Sequence, residues 1–179
     1  MNVLKGSEKS LLVRLPASDT LAQFEAAYPD RLRDGRSLLE RGRGYWGIYT
    51  FGYVVEIVLK AAYARLQGWN PSADMRPVLR SAPARAAILS VGRVPRNLHD
   101  LLFWAELLVG ERLARGIPFS SRFTNRFLSS VTVVALNWRE TMRYCDSVDV
   151  RRERQRVSAS VTWLVQHYPV LWRTTDASN

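Results

Sequence analysis

From Gly44 to Gln67 the chain runs GYWGIYTFGYVVEIVLKAAYARLQ, and between Tyr45 and Ala64 only Glu56 and Lys60 are charged. Every other position in that interval is apolar, aromatic or small, so a helix here is greasy on nearly every face. Such a helix is either the buried centre of a bundle or a membrane span. At the helical rise it is roughly 30 Å long, enough for either. Glu56 precedes Lys60 by four residues, the favourable order for a helical ion pair. That pair in mid-span, the glycines at 44, 47 and 52, and the lack of a comparable second segment favour a buried core helix.

The flanking text is amphipathic. Residues 1–18 show no period and read as an arm. Thr20 and Gln23 have capping-box spacing and predict a short helix over Leu21–Tyr28, stopped by Pro29. A second helix is expected over Pro29–Arg41, with Leu32, Leu38 and Leu39 on one side and charges opposite. Beyond Gln67, Gly68, Pro71, Pro77, Pro83, Gly92 and Pro95 mark a long loop over 68–96, with at most a helical turn around Ala84–Leu89. Order resumes with Asn97 as the expected N-cap, Asp100 in the first turn, and Leu98, Leu101, Leu102, Ala105, Leu108 and Val109 at helical spacing. Gly116 and Pro118 end that helix.

Ser120 or Ser121 can cap the next helix, whose stripe is Phe123, Phe127, Val131, Val134, Trp138 and Met142, with a break near Asp146–Asp149. A last helix carries Val157, Val161, Leu164, Val165 and Tyr168 until Pro169. The run at 131–136 is rich in β-branched residues, but the i, i+4 pattern passes through it unbroken, so no strand is expected. The reading is all-α: an up-and-down bundle of four main helices plus a short N-terminal one. Its parts are an arm and short helix (1–28), the bundle (29–170) and a tail (171–179).

Composition narrows the function classes. With 179 residues, 47% hydrophobic and 23% charged, the chain is an ordinary globular domain with a substantial core. The first twenty residues lack a long apolar stretch, so no signal peptide is expected and the cytoplasm is the default compartment. One cysteine, Cys145, excludes an internal disulfide, and two histidines without a cysteine cluster argue against structural zinc. No metal and no cofactor are expected. The net charge of +10 attracts phosphate backbones. Of the basic residues only Lys5, Lys9 and Lys60 are lysines, an arginine bias that composition drift alone can produce. The six tryptophans are too scattered for a stacking platform and read as core or dimer contacts.

One combination is more specific. An aromatic first half of the core helix is followed by Gly52-Tyr53, Glu56 and Leu59-Lys60-Ala61. His99-Asp100-Leu101 opens the next long helix, and Met142-Arg143-Tyr144 precedes the last. Over roughly residues 29–168 the chain thereby resembles the HEPN family of prokaryotic helical bundles. The resemblance implies an up-and-down bundle, a homodimer, and a place in a toxin–antitoxin or defence module. It also implies binding of RNA, nucleotide or a nucleotidyltransferase partner. Some relatives are metal-independent ribonucleases that use an arginine and a nearby histidine.

Arg93 and His99, with five residues between them, have that spacing. The arginine would stabilise phosphorane charge while the histidine moves a proton from a 2′-hydroxyl. Glu56 beside His99 would set its tautomer. The candidate catalytic groups are therefore Arg93, His99 and Glu56, and the candidate ligand or RNA contacts are Lys60, Arg96, Asp100, Arg139 and Arg143. Against the ribonuclease reading, Pro95 interrupts the pair, which sits at a loop–helix boundary. A further reading treats Glu56 and Lys60 as a register-fixing pair and the protein as a structural dimerising adaptor. A non-catalytic or weakly catalytic component that binds RNA, nucleotide or a nucleotidyltransferase partner is the expectation favoured here.

Overall fold

The computed structural model describes residues 19–145 and 148–173. The arm at 1–18 and most of the expected tail lie outside them. The described residues form helices α1 (Leu21–Glu40), α2 (Gly44–Leu66), α3 (Arg76–Ile88), α4 (Leu101–Ala114) and α5 (Ser121–Asn137). A 3-10 helix over Glu140–Tyr144, α6 (Arg151–Gln166) and α7 (Tyr168–Trp172) follow, and no strand occurs among the described residues. The all-α reading stands; the expected count of four helices plus one does not match these seven. No helix among the described residues is long and apolar enough to cross a membrane.

The greasy segment is α2, and it touches every other helix of the bundle. Phe51, Val54, Val55, Val58, Leu59, Ala61, Ala62 and Ala64 are fully buried, which accounts for the lack of a polar stripe along it. α1 starts on the expected capping box: the Gln23 amide donates to Thr20 Oγ1 at 3.3 Å and the Thr20 amide to Gln23 Oε1 at 2.7 Å. It does not stop at Tyr28. It continues through Pro29 to Glu40, merging two expected helices into one. An interior proline costs about 3 kcal/mol, and the α1–α2 interface supplies the offset. A Cβ at Gly35 would lie 2.5 Å from the Phe51 ring and one at Gly47 2.6 Å from Leu39. The two backbones therefore approach closely, and a helix broken at Pro29 would forfeit much of that packing.

Two further expectations are corrected. The stretch 68–96 is not one loop, because α3 occupies its middle. Pro77 sits in the first turn, where a missing amide proton leaves no bond unmade, and Pro83 lies inside the helix. Val78, Leu79, Ala82 and Ala86 are its buried stripe. An internal ion pair fixes α3: Arg85 Nε donates to Glu111 Oε2 on α4 at 2.7 Å, and Arg115 Nε donates to Glu111 Oε1 at 2.8 Å. Burial works to raise the Glu111 pKa, but the bonds from Arg85 and Arg115 outweigh it and hold it at about 2.

The second correction concerns the C-terminal third. α5, capped by Ser120 Oγ accepting from the Phe123 amide at 3.3 Å, ends at Asn137 rather than running on to Met142. Trp138 turns extended so that its indole covers Gly52 of α2. Met142 reaches the core from the 3-10 helix, where its carbonyl accepts from the Tyr45 hydroxyl at 2.9 Å. The expected break at Asp146–Asp149 lies partly outside the described residues. α6 ends at Gln166, ahead of Pro169 as expected, and a short helix, α7, then opens with Pro169 in its first turn. Leu171, expected in the tail, is fully buried. The Tyr168 hydroxyl and Arg65 both donate to Glu25 Oε1, at 2.6 and 2.7 Å, tying α7 and α2 to α1.

Candidate functional site

Tyr49, Tyr53, Glu56 and Lys60 follow one another at i+4, i+3 and i+4 along α2, so they share one side of it. The tyrosine hydroxyls lie 3.1 Å apart. Tyr53 packs edge-on to Trp138 with ring centroids 5.3 Å apart. Burial, then the bond to Tyr49, pushes the Tyr53 hydroxyl up to about 12, so it stays a neutral phenol at physiological pH.

One turn further, Glu56 and Lys60 are 6% and 5% exposed, values at which charged groups require full pairing. The Lys60 ammonium donates to Glu56 Oε1 and lies 5.7 Å from the centre of the Trp104 ring, a cation–π distance. The other donor to the carboxylate is His99, whose Nδ1 stands 3.0 Å from both Glu56 oxygens. A carboxylate held as an anion only accepts, so Nδ1 carries the proton. The other ring nitrogen, Nε2, bonds no described residue. The His99 side chain is 38% exposed, so the dyad reaches the surface through its imidazole.

The segment that carries His99 is held at several points. Asn97 Oδ1 accepts from the His99 amide at 2.8 Å, and Asn97 Nδ2 donates to Glu140 Oε1 of the 3-10 helix at 3.0 Å. Trp104 Nε1 donates to the Leu98 carbonyl at 3.0 Å. Asn97 is thus a loop clamp and not the expected N-cap. That position belongs to Asp100, whose Oδ1 accepts from the Phe103 amide at 3.1 Å. The reason is local: the Asn97 side chain closes a tight turn on its own loop, and helical geometry begins only after it.

The structure gathers some of the candidate residues and disperses others. Glu56, Lys60 and His99 form one network. Lys60, expected as a ligand contact, is buried behind Glu56, and the Asp100 carboxylate caps α4 instead of facing a ligand. Arg93 does not pair with His99: its Nε donates to Glu106 Oε1, inside α4, at 2.9 Å. Arg96, Arg139 and Arg143 are exposed and form no ion pair with any described acid. Arg96 adjoins Asn97 and Arg139 adjoins Glu140, so the Asn97–Glu140 bond joins the two segments that carry these arginines. Arg143 follows on the same 3-10 helix, with its guanidinium 4.8 Å from the centre of the Tyr144 ring.

Sequence reasoning did not find Tyr49, Glu140 or the clamping role of Asn97. The tyrosines were visible as an i, i+4 pair in register with Glu56. The Asn97–Glu140 bond links residues 43 positions apart and leaves no local pattern. Among the described residues, no group of three or more His, Cys, Asp or Glu side chains could hold a metal ion. No protein-family model matches the chain, nor does any curated protein or solved structure.

Proposed function

We propose that this chain is a HEPN-like bundle that binds RNA through the border formed by Arg96, Arg139 and Arg143 around His99. The observation that carries the reading is the Asn97–Glu140 clamp, which joins two arginine-bearing segments whose guanidinium groups no described acid neutralises. Arginines that no described acid pairs attract phosphates strongly, because each phosphate they engage releases a condensed counterion. Membership in a toxin–antitoxin or defence module, a homodimeric state and a nucleotidyltransferase partner rest on the sequence resemblance alone and belong to the same proposal.

A second reading draws on the Glu56–His99 dyad. An imidazole with Nδ1 held by a carboxylate and Nε2 bare is suited to take a proton from a 2′-hydroxyl, as a metal-independent endoribonuclease requires. Since Arg93 is committed to Glu106, the positive charge in that chemistry would come from Arg96 or Arg143.

One experiment with two arms separates these readings. A labelled RNA oligomer is titrated with protein between about 50 and 200 mM salt, in excess chelator, and the RNA is then checked for cleavage. RNA binding predicts intact RNA and a steep fall of affinity with salt. The slope should flatten by about 2 when Arg96, Arg139 and Arg143 are all changed to alanine, at roughly 0.7 for each phosphate of a single strand that is no longer neutralised. A flat salt response, or an unchanged slope in the triple variant, refutes the RNA reading. Cleavage that disappears in a folded His99→Ala variant replaces it with the nuclease.

A further inference from the structure

Tyr144 ends the 3-10 helix and is 76% exposed, among the most exposed large hydrophobic residues of those described. It stands beside Arg143, which forms no ion pair with a described acid and whose guanidinium lies over its ring at 4.8 Å. Two further exposed apolar groups, Val94 and Leu98, stand on the segment that carries Asn97. A surface that held only the phosphates of a duplex would have no use for them, since duplex bases are stacked inside and A-form grooves offer backbone and hydroxyl groups. An exposed aromatic ring beside an arginine that no described acid neutralises fits a strand whose bases are unpaired and can be laid on the ring.

Building on the RNA-binding reading, we infer that Tyr144 is a base-stacking residue and that the ligand class is single-stranded RNA. Arg143 covers one face of the ring and a nucleobase takes the opposite face, giving an arginine–tyrosine–base sandwich. Arg96 and Arg139, on the two segments joined by the Asn97–Glu140 bond, hold the flanking phosphates. Stacking of this kind tolerates any base, so the selectivity is for unpaired over paired RNA and not for sequence. Charge argues against a second copy of this chain as the occupant, because a two-fold contact here would set arginine-bearing borders against each other in a chain of net charge +10.

The test compares affinities of the wild type, Tyr144→Ala and Tyr144→Phe for a single-stranded RNA oligomer and for a duplex of the same sequence. Tyr144 is exposed, so its replacement leaves the bundle folded. Tyr144→Ala is expected to weaken single-strand binding about tenfold and duplex binding less than about twofold. Tyr144→Phe, which keeps the ring, stays within about twofold of the wild type on both. Equal losses on both RNAs, or no loss on the single strand, overturn the inference while leaving RNA binding in place. Failure of the wild type to bind either RNA overturns both.

Discussion

Replacing Glu56 with alanine is expected to destabilise the bundle by about 3–5 kcal/mol, because it leaves the Lys60 ammonium buried without its carboxylate. Lys60 is buried against Trp104, so neither solvent nor another acid among its described partners can replace the lost charge. At this chain length the loss corresponds to a fall in Tm on the order of 10 °C. A denaturant titration measures it as a lower midpoint at unchanged slope. The double replacement Glu56→Leu with Lys60→Met separates stability from function. Removing both charges together is close to neutral for folding, yet His99 loses its acceptor and the segment 91–100 loses its anchor on α2. A stable double variant with weakened RNA binding is the expected outcome. Full loss of stability in the double variant would show that the network does more than neutralise itself.

Gly52→Ala carries the second large effect. Alanine normally stabilises a helix interior by about 1 kcal/mol over glycine, so propensity alone predicts a gain. At this position the added methyl would fall inside the indole ring of Trp138, closer than real Cβ atoms come to any neighbour. α2 is pinned on all sides and cannot yield, so Trp138 must leave. Its indole is buried, and unseating a buried tryptophan costs about 3–5 kcal/mol. The net expectation is a loss of about 2–4 kcal/mol. Trp138 directly precedes Arg139 and the 3-10 helix, so the same substitution disperses the arginine border and lowers RNA affinity. A variant as stable as the wild type would show that Trp138 does not seat on α2 as described.

Much of this arrangement could be read before the fold was known, for physical reasons that differ by element. α2 was legible because a helix buried on every side admits almost no charge, and the two exceptions, Glu56 and Lys60, had to pair. The start of α1 was legible because Thr20 and Gln23 satisfy each other locally. The juxtaposition of Glu56 and His99 was anticipated, and the structure sets them 3.0 Å apart. Proline misled the reading twice, at Pro29 and Pro83, whereas Pro169 falls in the first turn of α7, after α6 has ended. At the first two positions a helix persists because buried neighbours outweigh one missing hydrogen bond, and a local rule does not see those neighbours. The partner of Arg93 was also out of reach. Spacing alone placed His99 within its range, whereas the fold offers it Glu106, 13 residues away along the chain. The arginine border depends on Glu140 meeting Asn97, a pairing that nothing in either segment announces.

The segment that carries Arg96, Asn97 and His99 is anchored on α2 by the buried Glu56 carboxylate, which accepts from His99 Nδ1–H at 3.0 Å. Nitrogen-15 spectroscopy of the imidazoles reads this directly, above the pH range in which histidine is charged, with His167→Gln used to assign the His99 signals. The expected spectrum shows the Nδ1–H tautomer for His99 in the wild type, relaxing to a mixture in Glu56→Gln. A wild-type ring protonated on Nε2, or a spectrum indifferent to Glu56, would contradict this anchoring.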